Sequence, residues 1–374
     1  MNTRILYLIS NMRVSNGVTS VIMNYVRNLQ GDDFQLDFIS LYNRESPYIE
    51  EIKGKGCNLW VLPIRKEKID FIDSYKMMST ILKTGNYDIV HSHLTGKYSV
   101  MLMKLAKHYH VPCRVLHSHN PRDMHNIKNM LRSLVYDNLN VHLSNFYIAC
   151  SESAGKSIFK KKKFTVIKNT IEIEKYLYSS EARIRGRKEL GISRDIIVIG
   201  TVCRQTYQKN PYFLVDIFDE FHKLKPDSVL IWIGTGELMN SIQEYVNKKE
   251  LNQYIQFIGN RSDMKEMYSS MDIFLLPSKY EGLGIVLLEA QTCGLLSFTS
   301  TEVPEDVKIT DHLYQISLKE SPNLWAKKMN DLYENHKNLN RTHNIREIEQ
   351  KGYSTKDNQE LYLYYKQIMN ETIR

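Results

Sequence analysis

Ser278-Lys279-Tyr280-Glu281-Gly282-Leu283-Gly284-Ile285-Val286-Leu287-Leu288-Glu289 is the stretch from which the rest of the chain can be read. It follows an apolar run of strand length, 271–276, and passes through two glycines into an apolar helical segment, 284–291. Gly282 and Gly284 allow a tight turn and close backbone approach. The free N–H groups and dipole at such a helix start favour an anion, for instance a phosphate. Glu281 and Glu289 bring two carboxylates to the same place, and carboxylates accept hydrogen bonds from sugar or ribose hydroxyls. Read without a ligand, Glu281 serves equally well as a capping acid and Glu289 as a solvated side chain.

Strand, turn and helix recur on both sides of this stretch. In the second half 195–202, 227–233 and 255–259 read as further strands, and in the first half 4–10, 35–41, 87–92, 113–119 and 146–151 do. Val18, Val21, Ile22, Tyr25, Val26 and Leu29 recur at helical spacing after the first of these. Such alternation predicts parallel sheets covered by helices on both faces. The chain therefore reads as two doubly wound α/β domains, 1–172 and 173–355, followed by a tyrosine-rich tail helix within 356–374. The boundary falls in the polar stretch 168–193. Open sheets of this kind place ligands outside the carboxyl ends of their strands, and with two of them a cleft between the domains is the expected site.

The loops after strands then hold the candidates. In Arg204-Gln205-Thr206-Tyr207-Gln208-Lys209-Asn210-Pro211, Arg204 and Lys209 are placed to clamp a diphosphate, arginine in bidentate fashion. Asn210 and Pro211 read as the cap and first residue of a helix. Gly234-Thr235-Gly236 and Gly259-Asn260-Arg261 are turns that could meet a ligand through backbone groups, though each alone is an ordinary turn. Asn16-Gly17 opens the first helix. His91 and His93 end one strand, His117 and His119 another. Alternation puts His117 and His119 on one face. No carboxylate or further ligand stands at matching spacing and no D-x-D pair occurs, so no metal is expected.

Composition closes off other classes. The 374 residues are 42% apolar and 25% charged, ordinary for a globular protein. No apolar run approaches the roughly 20 residues of a membrane span. No leader is expected either, because 5–9 is strand-length with no small-residue cleavage site behind it. The five scattered cysteines fit reduced thiols in a cytoplasmic protein. Net charge is +8, yet residues 1–175 hold 25 basic and 15 acidic residues and the remainder is net −2. The densest point is Lys160-Lys161-Lys162-Lys163, between Phe159 and Phe164. Such asymmetry suggests an anionic partner for the first half, or simply a solvated face. Nucleic acid is disfavoured by the absence of any binding signature, and an epimerase by the missing dinucleotide fingerprint.

Together, the E-x7-E spacing from Glu281 to Glu289, the R-x4-K-N loop from Arg204, the turn at Gly234 and the Asn16-Gly17 loop resemble retaining glycosyltransferases of family four, which have the GT-B fold. Val115-Leu116-His117-Ser118-His119-Asn120 and Gln208-Lys209-Asn210-Pro211 look most like the capsule and exopolysaccharide enzymes of bacteria. The resemblance implies that Glu289 holds ribose hydroxyls and that Glu281 contacts the donor sugar. Gly282, Leu283, Gly284 and Ile285 would meet sugar and diphosphate, and Gly259, Asn260 and Arg261 the base. Gly17 and Gly234 would allow close approach. Arg204 and Lys209 would neutralise the departing diphosphate, and His119, with His117 as rival, would face the acceptor. It further implies a UDP-sugar donor ahead of a GDP-sugar, no cofactor or metal, a glycan or lipid-linked acceptor, and a tail helix packing on the first domain. The basic first half would then meet an anionic membrane surface, giving a cytoplasmic protein peripheral to the inner face of the cell membrane. The alternative is a non-catalytic sugar-nucleotide binder that partners another transferase. Asn169-Thr170-Ile171-Glu172 and Val303-Pro304-Glu305 depart from the family's usual linker and glycine-rich stretches.

Overall fold

A computed structural model describes residues 2–13, 17–29, 33–43, 46–122, 127–337, 341, 345–356 and 358–373. The chain divides into two compact units, Met1–Asn169 with Asp357–Arg374, and Thr170–Lys356.

The first unit is built on β1 (Thr3–Ile9), β2 (Phe34–Ser40), β3 (Leu59–Val61), a small hairpin of β4 (Ile64–Arg65) and β5 (Lys68–Ile69), then β6 (Ile89–Ser92), β7 (Cys113–Ser118), β8 (Phe146–Ala149) and β9 (Thr165–Val166). Seven of these form one sheet in the order β3-β2-β1-β6-β7-β8-β9, every pairing parallel. Buried runs such as Ile5–Ile9 show why: a parallel strand is covered on both faces and so is apolar throughout. The tail helix Glu360–Ile373 belongs to this unit. Its Tyr365 is buried and hydrogen-bonds Tyr7 on β1 at 2.8 Å.

The second unit carries β10 (Ile197–Val202), β11 (Ser228–Ile233), β12 (Ile255–Gly259), β13 (Ile273–Leu276), β14 (Leu296–Ser300) and β15 (Leu313–Ile316) in the order β12-β11-β10-β13-β14-β15, again parallel. The order reverses between β10 and β13, so the crevice at their carboxyl ends is the switch point where doubly wound sheets bind ligands. Arg183 and Arg187 close the opposite end by bonding Asp272, each at 2.6 Å. The segments entering and leaving this unit run side by side: Ile171 N donates to Tyr353 O at 2.9 Å and Thr355 N to Ile171 O at 3.0 Å.

One expectation changes here. Asn210 does not cap the helix Pro211–Leu224 with its side chain; its backbone is left-handed, φ 54°, because the preceding residues curl into a 3-10 turn, Tyr207–Lys209. Of the phenylalanines beside the lysine run, Phe159 is buried and Phe164 packs on it, centroids 5.6 Å apart.

Candidate functional site

The loops after β10 and β13 flank the switch point, and they are laced together. Lys279 N donates to Gln208 O at 2.8 Å. Gln208 Nε2 donates to Tyr280 O at 3.0 Å and to Glu281 Oε2 at 3.4 Å. The Lys279 ammonium lies 3.4 Å from the centre of the Tyr207 ring. Across this lacing Lys209 Nζ meets Glu281 Oε1 at 2.5 Å, with the Glu281 side chain only 5% exposed. Lys209 is thus not free, as its sequence position suggested, but committed to Glu281. Arg204 is exposed and has no side-chain partner among the described residues.

Glu281 does not cap the helix. Gly284 occupies the N-cap position of Ile285–Thr292 with φ 80° and ψ 60°, a left-handed conformation that suits glycine, and it offers no capping side chain. Leu287 N turns back to Gly284 O at 2.8 Å, which leaves the N–H groups of Ile285 and Val286 available to an anion. Gly282 and Leu283 are buried beneath the turn, and Ile285 is half-buried. Farther along, Glu289 is buried rather than solvated and accepts from Tyr268 Oη at 2.6 Å. Burial pushes its carboxyl up to about 7, the Tyr268 and Tyr176 hydroxyls opposing the rise.

The turn after β11 sits against the same loop. A Cβ on Gly236 would stand 2.4 Å from the backbone N and O of Gln205, and one on Gly234 2.5 Å from Cys203 O. Gly234 N donates to Gly259 O at 2.7 Å, which brings the turn after β12 alongside. Asn260 Nδ2 reaches Thr235 Oγ1 at 3.4 Å. Arg261 is tied to Asp263 at 2.5 Å and Glu189 at 2.6 Å, so its charge is already balanced. Gln205 Oε1, Thr206 Oγ1 and Ser278 Oγ are buried in these loops without a hydrogen-bond partner. Three unmet polar atoms beside one crevice are what a polar ligand would satisfy.

In the first unit Gly17 opens the helix Gly17–Asn28, while Asn16 lies outside the described residues. His91 on β6 stands opposite Val115 on β7, a register that brings His91, His93, His117 and His119 to one face. His117 and His119 stack with centroids 4.0 Å apart, as do His91 and His93 at 4.2 Å. His93 Nδ1 meets His119 Nε2 at 2.8 Å. Burial lowers His119 to about 3 and the other three well below the ordinary imidazole value. At neutral pH His119 is therefore uncharged and acts only as a hydrogen-bonding group. The sequence reading missed Gln208, Tyr268 and the partnership of His93 with His119. Gln208 had a signal, its place between Arg204 and Lys209; the others depend on sheet order.

Comparison with known proteins fits both units. Residues 15–175 match the family described as Glycosyltransferase Family 4, and residues 183–351 the family described as Glycosyl transferases group 1. The chain is a glycosyltransferase of the GT-B fold. A protein of Bacillus subtilis (strain 168) named as glycosyltransferase EpsF is 29% identical to this glycosyltransferase over 331 residues, 86% of each chain. The UDP-Gal:alpha-D-GlcNAc-diphosphoundecaprenol alpha-1,3-galactosyltransferase of Escherichia coli is 28% identical over 298 residues, 76% of each. Among solved structures, Anabaena Alr3699/HepE, crystallised with UDP and glucose, superposes with a TM-score of 0.81 over 98% of this chain and all of that one, at 17% identity.

Proposed function

We propose that this glycosyltransferase takes a UDP-sugar and transfers the sugar, with retention of anomeric configuration, to a lipid-linked glycan of a capsule or exopolysaccharide. The observation that carries the donor half is the switch-point crevice of the second unit. There an unpaired arginine, an uncapped helix start and a buried Lys209–Glu281 pair surround unmet polar atoms. Arg204 and the N–H groups after Gly284 bind the diphosphate, and Glu289 accepts from the ribose hydroxyls. Glu281 accepts from sugar hydroxyls while Lys209 holds it in place. As the sugar's C1–O bond to the diphosphate breaks, the charge growing on the leaving oxygen is met by Arg204 and by the N–H groups that Lys209 has left beyond the one given to Glu281, a preorganised electrostatic contribution. The acceptor hydroxyl forms the new bond on the same face, and its proton passes to the departing phosphate oxygen. No side chain is assigned as base, and His119 is placed beside the acceptor as a neutral partner. The substrates in the E. coli relative's name, UDP-Gal and a GlcNAc-diphosphoundecaprenol, support a UDP donor and a lipid-linked acceptor.

Among the described residues no helix is long and apolar enough to cross a membrane. Peripheral attachment through the first unit has its own support. Leu131, Val135 and Leu139 are exposed at four-residue spacing along the helix Ile127–Leu143. Lys160 Nζ bonds Asn138 on that helix at 2.9 Å, which sets the exposed lysine run beside the apolar stripe. The helix's one acid, Asp137, is buried and paired with Arg122 at 2.8 Å. Lysines near an anionic surface contribute about 1 kcal/mol each.

Calorimetric titration with UDP, GDP and ADP, with and without magnesium, tests the donor assignment. UDP should bind in both conditions and Arg204→Ala should weaken it at least tenfold; absence of binding to all three nucleotides would sink it. Sedimentation with phosphatidylglycerol-rich and neutral vesicles tests the attachment. Equal binding to both, or none to either, removes it.

A further inference from the structure

We propose that His91, His93 and His117 form a binding site for one divalent transition-metal ion, zinc(II) foremost, at the carboxyl ends of β6 and β7. One ligand atom from each of the three histidines lies within 4.8 Å of the other two. The site uses none of the residues assigned to the donor, and it does not depend on the donor being UDP.

Four imidazoles, each at least nine-tenths buried, bring eight ring nitrogens into a closed space. His91 uses both of its own, Nδ1 toward Tyr365 Oη and Nε2 toward His117 Nδ1 at 3.2 Å. His93 Nδ1 and His119 Nε2 satisfy each other. His93 Nε2, His117 Nε2 and His119 Nδ1 have no partner. Buried polar atoms are otherwise almost always matched; an ion held by His91, His93 and His117 would take up one of these, His93 Nε2, while His91 Nε2 and His117 Nδ1 would exchange their mutual hydrogen bond for the metal.

One of the three ligand pairs already has a metal's spacing, and the third nitrogen lies within 4.8 Å of both. Two zinc–nitrogen bonds of about 2.0–2.1 Å at a near-tetrahedral angle hold their nitrogens about 3.3 Å apart, and His91 Nε2 and His117 Nδ1 stand at 3.2 Å. The outer partners fit as well. Ligating histidines are normally oriented by a hydrogen bond at the other ring nitrogen. His91 has Tyr365, itself bonded to Tyr7 at 2.8 Å, and His93 has His119. Three neutral imidazoles without a carboxylate select zinc, copper or nickel over magnesium or calcium. The sequence alone gave two histidines per strand and no further ligand; the register of β6 on β7 supplies the third.

The test titrates EDTA-stripped, dialysed protein with zinc chloride by calorimetry, and in parallel with cobalt(II), whose visible ligand-field bands report nitrogen donors. One ion per chain, micromolar or tighter, with tetrahedral cobalt bands, is the expected result. His93→Gln and His117→Gln, with unchanged circular dichroism, should each weaken zinc at least tenfold. Tyr365→Phe should weaken it about 10- to 100-fold through the orienting contact, and His110→Gln, on an exposed turn, should change nothing. Absence of binding, or zinc affinity unchanged in both histidine variants, overturns the site and leaves ordered water as the partner of these nitrogens. Should the histidine variants fail to fold, unaltered affinity in Tyr365→Phe together with no cobalt bands in the wild type overturns it equally.

Discussion

Replacing Glu289 by glutamine should make the free protein more stable, and only above a definite pH. Burial holds this carboxyl at about 7 against an ordinary 4.5. A rise of about 2.5 units, at about 1.4 kcal/mol per unit, amounts to about 3 kcal/mol. Between those two values the unfolded chain has lost a proton that the folded chain keeps. Stability therefore falls as pH rises through that window, and the whole penalty is present above pH 7. Glutamine does not ionise and still offers Tyr268 an acceptor. Glu289→Gln should match the wild type near about pH 4 and exceed it by up to about 3 kcal/mol near about pH 8. Urea unfolding followed by tryptophan fluorescence reads this, since Trp232 and Trp325 are both buried in the second unit. A difference that is constant across pH, or a wild type that is the more stable at high pH, would refute the reasoning. The same carboxyl should give up its proton when a ribose binds to it. Below pH 7 nucleotide binding should thus release protons, measurable by calorimetry in buffers of different ionisation enthalpy.

Lys209→Met should cost about 3–5 kcal/mol as well as turnover, because it strands the buried Glu281 carboxylate. Arg204→Ala should leave unfolding within about 0.5 kcal/mol of wild type while cutting turnover about a hundredfold or more; a matched loss of stability in both variants would deny the distinction. Gly236→Ala should destabilise by about 1–3 kcal/mol and loosen the loop after β10, since the new methyl meets Gln205 backbone rather than a flexible side chain. Wild-type denaturation midpoints there would show that the turn has room. Asp272→Asn should be among the most damaging single changes, about 3–5 kcal/mol, for it leaves the buried Arg187 guanidinium without its counter-charge, and a thermal melt within a few degrees of wild type would contradict it.

The strands were legible because parallel strands are apolar on both faces, and runs such as 197–202 say so unaided. Their ends were less legible. The expected strand starts at Asp195 and the β-branched run at Ile196, yet β10 begins at Ile197, where it first has Ser228 of β11 to pair with. The turn into the helix Ile285–Thr292 could be read from Gly284 because a left-handed cap leaves a composition mark. Asn210 misled because the Asn-Pro signal is local, whereas the 3-10 turn before it sets the backbone. Lys209 looked free because its partner lies 72 residues on, and only the placing of β13 beside β10 joins them. The histidines were seen in pairs for the same reason. Which strand lies next to which is decided by the whole sheet.

The first unit is discontinuous, and that sets an order on its assembly during synthesis. Residues 1–169 leave the ribosome long before the tail helix, and until then Tyr7, Phe34 and Cys113 lack the neighbours Tyr365, Tyr362 and Thr372. The second unit, continuous from Thr170 to Lys356, needs nothing made later. It can close first, while the earlier-made sheet waits with one flank bare and in need of protection from aggregation. Loss of the last dozen residues should accordingly injure the part of the molecule that was translated first.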